Sequence, residues 1–262
     1  MALLRIEDAG LVYYQFAALR AVPGLRHGLF TRLGGTSQPP FASLNVGGSV
    51  GDAPQAVAEN TRRCLAALGF EAAQIVTPHQ VHGEVVARVG MAEAGRVIPA
   101  TDGLLTDERG IVLLLRFADC VPIMLYDDEH AALALVHAGW RGTLAGIAAR
   151  AVAQMQAHFG TRPARLWAGI GPAIGPCCYE VGSDLRDAFE RRFGPRAAVG
   201  RQDRPARVDL PQANAMVLGE AGVPQVEVAG LCTACHTGEF FSHRAEGGRT
   251  GRQAALIGLA EG

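Results

Sequence analysis

Lysine is absent from this sequence, because all 24 basic residues are arginine. Without a lysine amine the chain cannot form a Schiff base with a carbonyl substrate or with pyridoxal phosphate. It also lacks the lysine of a phosphate-binding P-loop. These classes of enzyme are therefore excluded, and an anion would have to be bound by arginine or by backbone amides.

Neither an excess of one charge nor a long apolar run is present. The 24 basic and 25 acidic residues nearly balance and form no run of like charge, so binding to nucleic acid or to an anionic membrane is not indicated. No apolar run approaches the about 18 residues that cross a bilayer, and charge interrupts the N-terminus at Arg5. We expect a soluble cytoplasmic protein, favour a monomer, and expect its partners to be small molecules.

The composition allows one large domain or two small ones, and we favour a single domain that spans residues 1–262. The chain is 49% hydrophobic, which allows a core that is stable without disulfides. In a reducing compartment its six cysteines are better explained by metal binding, catalysis or core packing than by disulfide bonds.

Strands and helices are both predicted along the chain. Three apolar segments, at residues 111–118, 121–127 and 131–137, are continuous rather than alternating, which is typical of strands buried on both faces. Helices are predicted over residues 54–68, with Asp52 as the N-cap, and over residues 184–192 and 209–222. An arginine-rich polar loop is expected between residues 194 and 207.

Cys120 and His137 each end an apolar segment, so their side chains can converge on one edge of a sheet. His79 and His82 lie upstream in T-P-H-Q-V-H-G, and in an extended chain their odd spacing sends them to opposite faces, so that only one can join a shared metal. We take His82, Cys120 and His137 as one open metal site. Three N and S ligands with a free fourth position are typical of catalytic zinc, and copper is also chemically compatible. Alternatively, Cys120 packs in the core and His137 bonds a carbonyl.

Polar and aromatic residues flank these candidate ligands. Asp119 would orient a histidine ring or act as a base, or else cap a turn. Trp140 and Arg141 would stack on a planar base and bind a phosphate, or else pack in the core and cap a helix. An alanine-rich helix is predicted from Thr143 to Gly160, and its free N-terminal amides would sit beside Arg141 as an anion site.

Glycine-rich loops and the C-terminal segment offer further polar side chains that either bind a ligand or stabilise turns. These candidates are Arg32, Ser37, Asn45, Ser242, Arg244 and Arg252.

Four more cysteines have more than one interpretation. A disulfide between the adjacent Cys177 and Cys178 would be strained, and Cys178 could instead line the site. Cys232, Cys235 and His236 spell C-x-x-C-H, the attachment motif of c-type haem, which would require export. Alternatively, these residues form a second metal or redox site, or their spacing is due to chance.

Five ordered motifs, H-Q-V-H-G, A-D-C-V-P, V-H-A-G-W-R-G-T, G-P-A-I-G-P-C-C-Y-E-V-G and F-F-S-H-R, together resemble the YfiH family, also called the laccase-domain or polyphenol-oxidase-like family. The resemblance covers essentially the whole chain. It implies an α/β fold, a single-domain, mixed-sheet layered sandwich covered by helices, similar to the catalytic domain of cytotoxic necrotizing toxins. It also implies metal ligation by His82, Cys120 and His137.

The resemblance implies several reactions. One is phosphorolysis of purine nucleosides, including methylthioadenosine, together with adenosine deamination. Another is peptidoglycan editing, in which an amidase acts on UDP-muramoyl-L-serine. A copper-dependent polyphenol oxidase is the third, but a laccase needs several copper centres, and this chain has 8 histidines and no His-x-His pair.

We expect a zinc-dependent purine nucleoside phosphorylase that takes a purine nucleoside and phosphate, with peptidoglycan editing as the alternative. A non-catalytic nucleoside-binding or metal-binding protein is an alternative of another class. The expected catalytic residues are Asp119, Cys120 and Arg141. The expected substrate-binding residues are Arg32, Ser37, Asn45, Trp140, Cys178, Ser242, Arg244 and Arg252.

Overall fold

The computed structural model describes residues 3–199 and 205–261. Its strands are β1 Leu3–Asp8, β2 Leu11–Phe16, β3 Leu25–Phe30, β4 Ile75–Pro78, β5 Val86–Arg88, β6 Val97–Ile98, β7 Gly103–Thr106, β8 Val112–Phe117, β9 Val121–Asp127, β10 Ala132–Ala138, β11 Leu166–Ile170, β12 Ala198–Val199, β13 Arg207–Val208, β14 Gln225–Val228 and β15 Gln253–Leu259. Its α-helices are α1 Ala17–Arg20, α2 Pro54–Ala67, α3 Trp140–Ala145, α4 Ile147–Phe159, α5 Ser183–Phe193 and α6 Leu210–Glu220.

Two mixed sheets form the centre of the molecule. The first sheet has the strand order β1-β2-β3-β15-β8-β4-β6, and the second has the order β14-β11-β9-β10-β7-β5. Most neighbours are antiparallel, but β4 runs parallel to β8 and β6, β5 runs parallel to β7, and β11 runs parallel to β14. The α/β fold with mixed sheets is therefore confirmed.

The sheets pack face to face between helices. Along β8, Val112 and Leu114 pack on one side with Leu65 of α2, whereas Leu113 and Leu115 pack on the other side with residues of the second sheet. The far face of the second sheet packs against α4, α5 and α6. The layers are therefore α2, the first sheet, the second sheet and then the remaining long helices, as the period of two along a buried strand requires.

This alternation places His137 in the seam between the two sheets. Along β10, Ala134 and Val136 face the helices, whereas Leu133 and Leu135 face the first sheet. His137 is two residues beyond Leu135 and therefore points toward the first sheet. The chain crosses from β8 in the first sheet to β9 in the second, and Cys120 lies in that crossing.

Two predictions at helix ends are wrong. The helix predicted from Thr143 starts earlier, at Trp140, and Gly146 divides it into α3 and α4 because its φ of 77° is left-handed. The amide of Thr143 donates to the carbonyl of Gly139 at 2.8 Å, so it is not free for an anion. Asp52 is not the N-cap of α2, because Ala53 occupies that position.

The other predicted helices and strands are confirmed with shifts of one or two residues. The loop predicted over residues 194–207 contains residues 200–204, which lie outside the described residues, and the flanking β12 and β13 pair antiparallel. Within the described ranges, no helix has both the length and the apolar composition that a membrane crossing requires.

Candidate metal centre

Three donor side chains meet in the seam between the sheets. His82 comes from the loop between β4 and β5, Cys120 from the β8–β9 crossing and His137 from β10, and one ligand atom from each lies within 4.8 Å of the others. The two imidazole rings stand at 76° to each other with centroids 4.9 Å apart. Three convergent N and S donors with one open side fit the ligand set of catalytic zinc.

Asp102 determines the tautomer of His137. Nδ1 of His137 lies 2.9 Å from Oδ1 of Asp102, and both side chains are buried. Because an ionised carboxylate only accepts hydrogen bonds, Nδ1 carries the proton. Nε2 therefore keeps its lone pair for a metal, as in the carboxylate–histidine–metal arrangement common to such sites.

The same carboxylate holds the loop that carries His82. Asp102 accepts hydrogen bonds from the amides of Val81 at 3.1 Å, His82 at 3.0 Å and Gly83 at 2.7 Å. The φ of His82 is 60°, a left-handed conformation that is unfavourable for a residue with a Cβ. Three bonds to one buried anion offset that cost and direct the imidazole to the cluster.

The extended chain predicted between His79 and His82 is not found. Strand β4 ends at Pro78, and the left-handed turn at His82 interrupts any alternation of faces. The structure nevertheless brings His82 to Cys120 and His137, whereas His79 lines the neighbouring cavity outside this cluster.

Cys120 and His137 form a charge-paired couple. Burial tends to raise the pKa of the Cys120 thiol, but His137 and His82 outweigh burial and lower that pKa to about 6. Burial tends to lower the pKa of His137, but Cys120 and Asp102 raise it to about 9. Both shifts describe one thiolate–imidazolium pair sharing a proton, which a metal cation would replace.

Glycine leaves the room that this cluster needs. A Cβ at Gly139 would lie 3.2 Å from both the Sγ of Cys120 and the Cδ2 of His82. A larger residue there would therefore push the ligands apart.

Asp119 bonds to groups other than the histidines. Its Oδ1 accepts from the hydroxyl of Thr233 at 2.6 Å, and its Oδ2 accepts from the backbone amide of Arg244 at 2.7 Å. Asp119 thus connects the ligand loop to two segments of the C-terminal part of the chain. Its φ of 85° turns the chain so that Cys120 faces the cluster.

The cluster lies at the wall of a cavity of about 810 Å³. Four arginines line it: Arg116, Arg141, Arg244 and Arg252. None of them forms an ion pair with a carboxylate among the described residues. Arg116, Arg244 and Arg252 donate hydrogen bonds to carbonyl or hydroxyl oxygens. The guanidinium of Arg141 stacks on Trp140, 4.6 Å from the ring centroid. Burial lowers the pKa of Arg116 and of Arg252, a cost that a bound anion would offset.

Five sequence-predicted site residues line this cavity besides the ligands: Asp119, Trp140, Arg141, Arg244 and Arg252. Asn45 lies behind the wall, where its Oδ1 accepts from the amides of Gly47 and Arg252, each at 2.8 Å. It therefore positions Arg252 and the Gly47 loop, both of which line the cavity.

The remaining candidates lie outside the cavity lining. Arg32 pairs with Glu246 at 3.0 Å, and Ser37 accepts a hydrogen bond from the Asn60 amide at 2.8 Å. Ser242 is buried, and its hydroxyl accepts from a neighbouring backbone amide. Cys178 belongs to a separate group of cysteines.

Three further residues were not predicted from the sequence: Asp102, Arg116 and Tyr179. The last two line the cavity. Arg116 carries a usable signal, because it is the one charge inside an otherwise apolar strand. Asp102 carries none, since T-D-G is also a common turn sequence.

The fold and this centre define an α/β protein with two stacked mixed sheets, in which two histidines and one cysteine converge beside a cavity lined by four arginines. The family model of multi-copper polyphenol oxidoreductase laccases matches residues 26–260, so the chain belongs to that family, and the resemblance to YfiH proteins is confirmed.

Similar proteins cover nearly the whole chain. "Purine nucleoside phosphorylase YlmD" of Geobacillus stearothermophilus is 41% identical over 246 residues, which cover 89% of this chain and 90% of that protein. A purine nucleoside phosphorylase of Deinococcus radiodurans is 39% identical, covering 91% and 90%.

Solved structures agree with this result. The crystal structure of YlmD from Geobacillus stearothermophilus has a TM-score of 0.91 at 38% identity and covers 99% of this chain and 100% of that chain. The Bacillus licheniformis YfiH structure has a TM-score of 0.90 at 35% identity, covering 97% of both chains.

Replacing Asp102 by asparagine should weaken zinc binding by about 10- to 100-fold, because the carboxylate that orients His137 and the His82 loop is lost. A competition titration with a chromophoric chelator measures this. Asp209→Asn is the matched control, because Asp209 also accepts a backbone amide, that of Gln212 at 2.9 Å, but lines no part of the cavity and belongs to none of the potential metal-binding groups of the described residues. Equal affinity of Asp102→Asn and the natural protein would contradict the assigned role.

Replacing His82 by alanine should remove one metal ion per chain, whereas His79→Ala should retain it. Both histidines line the cavity, but only His82 belongs to the ligand cluster. Metal content measured by plasma mass spectrometry on both purified variants distinguishes them. Loss of the ion from His79→Ala alone would reverse the ligand assignment.

Proposed function

We propose that this protein is a zinc-dependent purine nucleoside phosphorylase that also deaminates adenosine and cleaves methylthioadenosine. One observation carries the proposal: a three-ligand N and S cluster opens into a cavity whose wall holds four arginines without carboxylate partners among the described residues. Relatives named purine nucleoside phosphorylase, 34–41% identical over most of the chain, support it.

Phosphorolysis requires inorganic phosphate to be held beside the nucleoside. Guanidinium groups bind phosphate through paired hydrogen bonds, and this chain has no lysine to substitute for them. Arg141 lies in the first turn of α3, is exposed and lines the cavity. Arg116 and Arg252 each donate a hydrogen bond to a backbone carbonyl oxygen, which holds the side chain in place. We assign Arg141 as the principal phosphate ligand, with the other two supplying fixed positive charge.

The purine would be bound by the aromatic side of the cavity. Trp140 and Tyr179 line it, and each is stacked with a guanidinium group, Arg141 at 4.6 Å and Arg244 at 5.0 Å. A flat heteroaromatic base packs well against such rings, because offset stacking buries its faces while leaving its edges free to hydrogen-bond. The cavity volume of about 810 Å³ is in the range of small-molecule sites.

His82, Cys120 and His137 would hold the zinc ion. When bound there, zinc supplies Lewis-acid chemistry, which hydrolytic deamination of adenosine needs. Asp102 keeps one proton of His137 on Nδ1, so Nε2 is the atom that would bind the metal once the metal replaces the proton shared with Cys120. Gly139 keeps the space between Cys120 and His82 free.

Multi-copper oxidation is less compatible with these residues. Coupled copper centres need several groups of histidines. Among the described residues, only one potential metal cluster contains two histidines. Another contains His130 with the carboxylates of Asp127 and Glu129, and the third contains cysteines only. The donor set therefore supports a mononuclear zinc centre rather than an oxidase.

Incubation of the zinc-loaded protein with adenosine and phosphate should give adenine, ribose 1-phosphate and inosine, separated by chromatography. Cys120→Ala should abolish turnover because it removes a ligand. Cys64→Ala is the matched control, since Cys64 lies on the buried face of α2 and outside the cavity. No nucleoside product, with hydrolysis of UDP-muramoyl-L-serine instead, would overturn the proposal in favour of an amidase.

Replacing Arg141 by glutamine should raise the KM for phosphate by about 10- to 100-fold, the loss expected for a hydrogen-bonded contact to a charged group. Adenosine deamination, which consumes no phosphate, should be affected far less. Arg150→Gln serves as the control, because Arg150 is exposed on α4 and pairs with Glu84. An unchanged phosphate dependence in Arg141→Gln would contradict the assignment.

A further inference from the structure

Four cysteines that the proposed reaction does not use lie together at the surface. Cys177 and Cys178 follow β11, and Cys232 and Cys235 follow β14, its parallel neighbour. One Sγ atom from each lies within 4.8 Å of the others. All four are free thiols, and none lines the cavity of the His82 centre. We propose that these four cysteines form a second metal site, a closed tetrathiolate zinc site of the structural kind.

The sulfur spacing suits a four-coordinate ion. Zinc–sulfur bonds of about 2.3 Å place the sulfurs of a tetrahedron about 3.8 Å apart. The Sγ of Cys235 lies 3.5 Å from that of Cys177 and 3.4 Å from that of Cys178. Small shifts of the sulfur atoms would therefore place all four at bonding distance from one zinc ion.

Backbone contacts hold the two cysteine loops together without any sulfur bond. The amide of Ala173 donates to the carbonyl of Leu231 at 3.2 Å, and that of Thr233 donates to the carbonyl of Ala173 at 3.1 Å. Beyond this short ladder, the amide of Gly175 donates to the Sγ of Cys232 at 3.2 Å. Amide-to-sulfur bonds stabilise thiolate and orient it, as expected of the outer shell of a metal site.

Gly175 also provides the space for the cluster. A Cβ at that position would meet both the Sγ of Cys177 and the Cβ of Cys232 at 3.3 Å. The close approach of the two loops thus depends on a residue without a side chain.

The haem interpretation of C-x-x-C-H does not fit this arrangement, because the thiols of Cys232 and Cys235 are grouped with those of Cys177 and Cys178 within 4.8 Å. The Nδ1 atom of His236 bonds the carbonyl of Cys232 at 2.9 Å, and the amide of His236 donates to the same carbonyl at 3.1 Å. His236 thereby closes the turn that brings Cys232 and Cys235 to the same side. Four sulfur donors in one group are the ligand set of structural zinc, whereas the two-histidine, one-cysteine centre leaves a position open.

The position of the site determines both how an ion would reach it and what a bound ion would do to the neighbouring cavity. Cys177 and Cys235 are exposed, so an ion can reach the sulfurs from solvent. Cys178 precedes Tyr179 of the cavity wall, and Thr233 between the other two cysteines donates to Asp119 at 2.6 Å. A bound ion would therefore hold one wall of the cavity in place from behind.

Metal stoichiometry tests the proposal independently of the enzymatic activity. After loading with Zn²⁺ and removal of the excess, the natural protein should hold two zinc ions per chain. Cys235→Ser and Cys120→Ser should each hold one, and the double variant none. Cys64→Ala, the matched control, should hold two. If Cys235→Ser retains as much zinc as the natural protein, the proposal is overturned.

Cobalt loading of Cys120→Ser provides a second readout that does not require folding of a Cys235 variant. Co²⁺ bound by four thiolates should give intense sulfur-to-metal charge-transfer bands together with tetrahedral ligand-field bands. Absence of these bands would contradict the site. Thiol titration of the denatured, metal-free protein without reductant should find six thiols, and four would show that a disulfide occupies the cluster instead.

Discussion

The hydrogen bonds of the Asp102 carboxylate determine the geometry of the candidate centre. Burial alone would raise the pKa of Asp102, but hydrogen bonds from His137 and from the amides of Gly83 and Val81 outweigh burial and lower it. Leaving a buried charge without its partners typically costs about 3–5 kcal/mol. These partners thus stabilise the charge, and the charge fixes the orientation of His137 and the left-handed turn at His82. One carboxylate therefore organises two of the three ligands.

The layered architecture explains why the centre forms where it does. A strand that crosses between stacked sheets must leave one layer and enter the other, and Cys120 lies in such a crossing between β8 and β9. His137 reaches the same point because its position on β10 faces the first sheet. Strands of the two sheets thus position Cys120, His137 and Arg116, whereas loops bring His82, Arg244 and Arg252. The first turn of α3 adds Trp140 and Arg141. Asp119 connects this centre with the loop of the cysteine cluster through Thr233.

Much of this arrangement could be predicted from sequence, and the exceptions share a physical cause. The three central strands were predictable because continuous apolar runs encode burial on both faces, and Cys120 and His137 stand at the ends of such runs. The role of Asp102 was not predictable, because its contact with His137 joins residues 35 apart in the sequence and leaves no local pattern. The single helix predicted from Thr143 is two helices in the structure, because composition does not reveal the left-handed break at Gly146. The cysteine cluster was ambiguous for a similar reason. Cys177 and Cys178 lie far from Cys232 and Cys235 in the sequence, and only the fold shows that the two pairs form one group.

Anomalous diffraction at the zinc edge, from crystals grown with zinc and phosphate, would locate the metal ion and the anion together. We expect a peak bonded to His82, Cys120 and His137, with a fourth position open to the cavity and phosphate beside Arg141. A peak with a fourth protein ligand, or no peak between these three residues, would contradict this expectation.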